Sequence, residues 1–146
     1  IEILYRPVSV IQGEQGDKRM AAEALPLLQE LEPQVDAFIS PNDQLGSRET
    51  FVRLFQDHSN KPLIGLVKSD VMSGWGAMAS VFSLHDNIGQ LAAEMIRDLF
   101  EGKPMNEIAP RWPSRYGYAV DLAKANALGI SVPVGILQLA GENIVH

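Results

Sequence analysis

The sequence predicts an α/β fold, a mostly parallel sheet flanked by helices. Two observations carry that expectation. Short apolar runs rich in β-formers alternate along the chain with longer segments whose apolar residues recur at helical spacing. No internal repeat or low-complexity stretch interrupts the alternation. Strands that alternate with helices pair in parallel, because each helix carries the chain back along the sheet before the next strand begins.

Taken in order, Ile1-Glu2-Ile3-Leu4-Tyr5 predicts a first strand within Ile1 to Val10, although Pro7 weakens the run as a central strand. Gly13 and Gly16 mark a loop, and Asp17 is the expected N-cap of the first helix. Met20, Ala21, Ala24, Leu28 and Leu31 fall on that helix, which Pro26 is expected to kink or delay and Pro33 to end. Val35 to Ser40 is a short apolar strand that stops at Pro41-Asn42-Asp43-Gln44. Leu45, Phe51, Val52, Leu54 and Phe55 continue as a helix to about Asp57, and Pro62 to Val67 is a strand of the buried type.

Ser69-Asp70 and Gly74-Trp75-Gly76 read as loop, and Ala77 to Leu84 as strand. The clearest helix starts at Asp86, its expected cap, and carries Ile88, Leu91, Ala92, Met95, Ile96, Leu99 and Phe100 on one stripe. Gly102 and Pro104 close it. The stretch Gly102 to Pro113 is a linker, a crossover or a surface loop, and Tyr116 to Val120 is the expected edge strand. A short helix over Leu122 to Leu128 ends at Gly129, and Val134 to Val145 completes the chain.

Composition narrows the function. The chain of 146 residues has 12 Lys and Arg against 18 Asp and Glu, a net charge of -6, which argues against a general nucleic-acid binder with its basic stripe. No run approaches the apolar length of a membrane span. Without Cys there is no disulfide, no thiolate metal site and no thiol chemistry. The three His residues, His58, His85 and His146, share no ligand spacing, so no metal site is expected. The sequence lacks a G-x-S-x-G elbow, a phosphate-binding G-x-x-x-x-G-K-[ST] loop and a G-x-G-x-x-G fingerprint. No nucleophile and base pair stands out, and no cofactor is called for. The chain opens at Ile1 rather than Met, which predicts a processed or cropped product, with the cut falling inside a fold.

In an open parallel sheet, ligands gather beyond the carboxyl ends of the strands. Two loops qualify. Asn42, Asp43 and Gln44 follow the Val35 strand, and Ser69 and Asp70 follow the Pro62 strand. Amide, hydroxyl and carboxylate groups suit hydrogen bonding to a small polar solute. Asn42 or Asp43 could equally serve only to cap the next helix. Trp75, between two glycines, stacks on a ligand, plugs a lobe interface or is a partly buried anchor. Arg111-Trp112-Pro113-Ser114-Arg115-Tyr116 suggests base stacking at first sight, but in an acidic chain it reads better as a solvated edge with aromatic packing.

The ordered set of segments resembles the ABC transporter substrate-binding protein family, of the type I periplasmic-binding-protein fold. The matching stretches are Val35 to Asp43 with its Pro-x-Asp loop, Lys61 to Gly65, Gly76-Ala77-Met78-Ala79-Ser80, Ile88 to Ala93, Val120 to Ile130, Ile130 to Pro133 and Glu142 to Val145. The chain departs from the family at Asp121, where Asn is common, and at Leu84-His85, where aromatics are frequent. The resemblance implies a C-terminal part only, with the first lobe absent and the second lacking its opening strand and helix. Residues 1–85 would form most of the C-terminal lobe, and residues 86–146 a helix crossing to an absent lobe plus a return segment.

For function, the resemblance implies solute binding without covalent chemistry. A small polar solute, with a preference for an amino acid or another amine-bearing ligand, would sit between two lobes. Asn42, Asp43, Gln44, Ser69, Asp70 and Trp75 would be this lobe's contacts, and ABC permease subunits its partners. The setting would be periplasmic or extracellular and membrane-anchored. The stripe Ile88/Leu91/Met95/Leu99 would lack part of its packing partner, so a second copy is expected to cover it as a homodimer. A ligand-sensing domain of a transcription regulator or receptor with the same fold is the alternative, and an α/β enzyme of flavodoxin-like or hydrolase type fits the same pattern.

Overall fold

The structure, a computed structural model, describes residues 1–146. Five strands form one sheet in the order β1-β2-β3-β4-β5. They are β1 (Phe38–Ile39), β2 (Leu63–Gly65), β3 (Ala79–Ser83), β4 (Tyr116–Asp121) and β5 (Ile144–Val145). Three of the four pairings are parallel, and only β3 with β4 is antiparallel. The helices are α1 (Gly16–Leu31), α2 (Glu49–His58), α3 (Ser69–Met72), α4 (His85–Phe100), α5 (Leu122–Ala127) and α6 (Val134–Ala140). The α/β class and the mostly parallel sheet are therefore as the sequence indicates.

The core lies where α1 and α2 cover the first two strands. Met20, Ala24, Leu28 and Leu31 recur along one side of α1, and all four are buried. Phe51, Val52 and Phe55 do the same for α2. Phe38 on β1 meets Phe55 with ring centroids 5.0 Å apart at a tilted angle, and Phe51 meets Phe55 edge-on at the same distance. Leu63 on β2 is 1% exposed beneath them.

Several local expectations are corrected. Ile1 to Tyr5 is not a strand. No backbone-to-backbone hydrogen bond joins Ile1–Val10 to the rest of the chain, and a strand exists only by such bonds with a neighbour. Asp17 does not cap α1, which begins one residue earlier with Gln15 at the cap position and no side-chain bond. Pro26 neither delays nor interrupts α1. It sits on the exposed side, where the carbonyl it leaves unpaired, that of the exposed Ala22, can be solvated. The second helix starts at Glu49, beyond Leu45, and Ser69-Asp70 opens the short helix α3 instead of remaining loop. Asp86 likewise lies inside the first turn of α4, with Leu84 at the cap position. The expected edge strand at Tyr116 is interior, because β5 pairs beyond it. The edges are β1 and β5.

Register shapes the end of the sheet at which β1 and β2 finish. Ile39 is level with Ile64, and Gly65 with Ser80. From Ser80, β3 runs on to Ser83, paired to Tyr116 of β4. The β3–β4 pair thus overshoots the ends of β1 and β2 by about 10 Å, at roughly 3.3 Å per residue. The result is a step, with a low floor where β1 and β2 end and a wall where β3 and β4 continue.

Candidate functional site

The floor is built by two turns. The first runs from Ser40 to Gly46 and closes on itself. The buried Ser40 Oγ donates to the carbonyl of Gly46 at 2.5 Å. Asp43 Oδ1 accepts from the backbone N–H groups of Leu45 at 3.0 Å and Gly46 at 2.7 Å. Ser47 Oγ donates to the Asp43 carbonyl at 2.6 Å. Gly46 lies against the Pro41 carbonyl so closely that a Cβ there would collide with backbone. Four hydrogen bonds, three within the seven residues and one from Ser47 beyond them, tie the turn to itself, and such preorganisation lowers the entropic cost of binding.

Asp43 therefore caps a turn rather than the helix α2. Only Oδ1 is committed to the turn; the residue is exposed and its Oδ2 accepts no bond from the protein. Asn42 and Gln44 flank it and are exposed. Capping and ligand contact are thus open to the same carboxylate, one oxygen for each.

The second turn follows β2. Ser69 is half-buried at the start of α3. Asp70 is placed otherwise than a contact residue should be. Its side chain is turned inward and is 1% exposed, leaving no surface for a solute. Oδ2 accepts from the Val67 N–H at 3.3 Å, while Oδ1 has no partner. Burial pushes the Asp70 carboxyl above its ordinary range, against the pull of the Val67 and Leu66 backbone donors. The carboxyl lies on Gly65 with no room for a side chain between them. Ser80, in register with Gly65 and hence on the same face, is also buried with its Oγ unpartnered. Asp70 Oδ1 and Ser80 Oγ are thus both buried without a partner.

Trp75 is half-buried and packs against the apolar core, so its ring serves as an anchor for the loop that precedes β3. Gly76 beside it has φ +112° and faces Gln56 with no space for a Cβ, which explains a glycine after Trp75.

The wall carries the two chain crossings. The chain leaves β3 through Leu84 into α4 and returns through Ser114 into β4, side by side at the same end of the sheet. Asn87, which sequence reasoning did not single out, joins them. It is 6% exposed, and its Oδ1 accepts from the N–H groups of Ser114 at 3.1 Å and Arg115 at 3.3 Å. Asp86 pairs with Arg115 at 3.2 Å. Arg111 reaches Glu94 at 2.6 Å and Asp98 at 2.7 Å on α4, so its guanidinium is committed within the chain. Trp112 is 84% exposed, and the expected solvated edge holds without aromatic packing around it.

Two cavities bear on the helices and the edge of the sheet. A shallow one between α1 and α2 holds Glu49, Arg53, Asp57 and His58. The other, a groove of about 1060 Å³ beside the free edge of β1, takes in Asp43 and Gln44 at one end. Asn42, Ser69, Asp70 and Trp75 line neither. No three His, Cys, Asp or Glu side chains group as a metal site would need.

The fold has known counterparts among solved structures. A conserved domain protein from Vibrio cholerae matches with a TM-score of 0.65 at 20% identity, over 86% of this chain and 42% of that one. The ABC domain in complex with L-Trp from Streptococcus pneumonia matches at 0.64 and 23% identity, over 86% and 43%. A substrate binding protein with adhesive properties from Clostridium difficile, in its ligand-free open form, matches at 0.53 and 20% identity, over 86% and 40%. No protein-family profile and no curated protein matches the sequence. The chain thus has the fold of part of a substrate-binding protein and spans about two fifths of the length of these structures. No helix is long and apolar enough to cross a membrane.

Proposed function

We propose that the chain is the C-terminal part of a solute-binding protein that serves an ABC-type importer in the periplasm or at the cell surface. Residues 1–85 supply most of one lobe, and α4 with the return segment reaches toward a second. A small polar solute lies on the floor at the ends of β1 and β2 and is held when the second body closes over it. Closure is driven by a ligand that contacts both bodies at once. The reading rests on one observation above others. The exposed Asn42, Asp43 and Gln44 stand on a prelocked turn at the same sheet end from which both chain crossings leave.

Asp43 offers Oδ2 to an ammonium group, a charge-assisted bond that favours an amino acid or similar amine-bearing solute. One of the structural neighbours holds L-Trp, which agrees with that chemistry. Asn42, Gln44 and Ser69 add hydrogen bonds, while Asp70 and Trp75 hold the second turn from inside. The permease is the onward partner. Where no second lobe covers the stripe Ile88/Leu91/Met95/Leu99, a second copy of the chain does. Ligand recognition of this kind involves no covalent step.

The test is calorimetric titration of amino acids, L-Trp first, into the chain joined to its second lobe. Replacing Asp43 with Ala should weaken an amine-bearing ligand about tenfold or more, in keeping with a charge-assisted bond of about 1.5–3 kcal/mol. Asp43→Asn should recover only the turn. Equal affinity in all three proteins removes Asp43 from the site.

A further inference from the structure

The two chain crossings at the wall lie side by side, yet their backbones are not bonded to each other. The β3–β4 ladder ends at its last register pair, Ser83 with Tyr116. Beyond that pair no backbone-to-backbone hydrogen bond runs between residues 84–87 and 111–115. Without a further tie, the exit through Leu84 and the return through Ser114 would bend separately.

Asn87 supplies the tie. It is buried, and its single oxygen Oδ1 accepts from the consecutive N–H groups of Ser114 and Arg115. In an extended strand successive N–H groups point to opposite sides. One acceptor holds both only where the chain is bent, and β4 begins directly after the bend, at Tyr116. The bend has little else to hold it. Pro113 has no N–H to give, and Ser114 and Arg115 are themselves exposed. The ion pair of Asp86 with Arg115 spans the same crossings but is mostly exposed, so it contributes little.

On either side of this tie the chain is stiff. Below it, Gly117 is opposite Phe82, whose ring lies across the glycine with no room for a Cβ, and the Leu84 side chain lies against it as well. Above it, Arg111 fastens the returning segment to α4 through Glu94 and Asp98. One carboxamide therefore stands between a firm wall and a firm excursion.

We propose that Asn87 is a positioning residue that makes the two crossings bend as one, so that α4 and the segment returning beside it keep a single orientation on the sheet. This holds whichever solute binds, and it would stand if the transport reading fell.

NMR on the 146-residue chain tests it. The Ser114 and Arg115 amides, exposed and outside the ladder, are expected to exchange about tenfold more slowly than unprotected amides, the protection that one net hydrogen bond gives. Unprotected amides there in the intact chain overturn the proposal before any substitution is made. Asn87→Ala should release both amides, while Met78, whose N–H bonds Leu63 within the sheet, stays protected and reports that the variant is folded. Asn87→Asp retains the acceptor and should keep both amides protected. Residual dipolar couplings read the orientation. In the intact chain and in Asn87→Asp, one alignment should fit α1 and α4 together. In Asn87→Ala the couplings of α4 should shrink relative to those of α1, with the amides of α4 still protected by their own helix. Should the alanine variant lose the protection of Met78, Asn87→Gln, which carries the amide one methylene further out, gives the same reading. Protection of Ser114 and Arg115 that survives Asn87→Ala, or that is lost equally in Asn87→Asp, overturns the role of the oxygen. Release of both amides with the couplings of α4 unchanged overturns the positioning.

Discussion

Helices α1 and α4 have the same length, 16 residues each, and both carry an apolar stripe, yet the fold treats them differently. α1 buries six residues and forms one side of the core. α4 buries only Asn87, and Ile88, Ile96, Leu99 and Phe100 remain exposed along it. What holds α4 is polar: Arg111 across Glu94 and Asp98, Arg115 on Asp86, and Asn87 on the returning backbone. An amphipathic pattern states that a helix has a face to bury. It does not state where the partner is. The contrast divides the chain into a self-sufficient part and a part shaped for something else.

The sharpest way to break this contrast is to truncate one leucine on each helix. Leu28 is 3% exposed, so Leu28→Ala should cost about 2–5 kcal/mol of unfolding free energy in urea. Leu99 is 39% exposed, and Leu99→Ala should cost less than about 1 kcal/mol in the monomer. Comparable losses would mean that α4 is packed as tightly as α1. Next in size is Arg111→Ala. Arg111 and Glu94 are 30% and 31% exposed and Asp98 16%, so with solvent screening the loss of global stability should be about 1 kcal/mol. The amides of α4 should exchange faster while those of α1 do not change, and uniform acceleration would contradict a separate α4. The exposed stripe itself is probed by Ile88→Glu with Leu99→Glu. If a second copy covers that face, light scattering should show the dimer lost with the melting temperature of the monomer little altered. A wild-type chain that is monomeric at every concentration would remove the dimer.

The same division explains what could be read from the sequence. The buried helix faces and the places of the strands along the chain from Val35 onward were legible, because hydrophobic spacing records burial directly: Met20, Ala24, Leu28 and Leu31, Phe51, Val52 and Phe55, and Leu63 all lie inside. The loops after β1 and β2 were legible as polar tips at strand ends. Their internal wiring was not. Nothing in a one-dimensional pattern distinguishes an Asp43 that closes its own turn from an Asp70 that folds onto Gly65, since both are aspartates a few residues beyond a strand. Ile1–Tyr5 has strand composition and no partner, and pairing is a property of two segments. Asn87 escaped notice because its bonds reach 27 and 28 residues ahead.

The smallest expected effect concerns Asp70, and it separates a structural acid from a ligand-binding one. The native carboxyl titrates above its ordinary value because burial disfavours the charge. Linkage fixes the sign. The folded state binds the proton more tightly than the unfolded state. Its contribution to stability is therefore complete below about pH 4, the unfolded value, and is lost as pH rises through the native pKa. Asp70→Asn keeps the shape and an acceptor for Val67 but cannot ionise. The stability of the variant relative to wild type should thus rise between about pH 4 and pH 7, read from urea midpoints at the two pH values. Solute affinity should not change, because the side chain has no surface with which to touch a ligand. A constant stability difference at the two pH values would show that the carboxyl ionises freely, and a loss of affinity would return Asp70 to the binding floor beside Ser69.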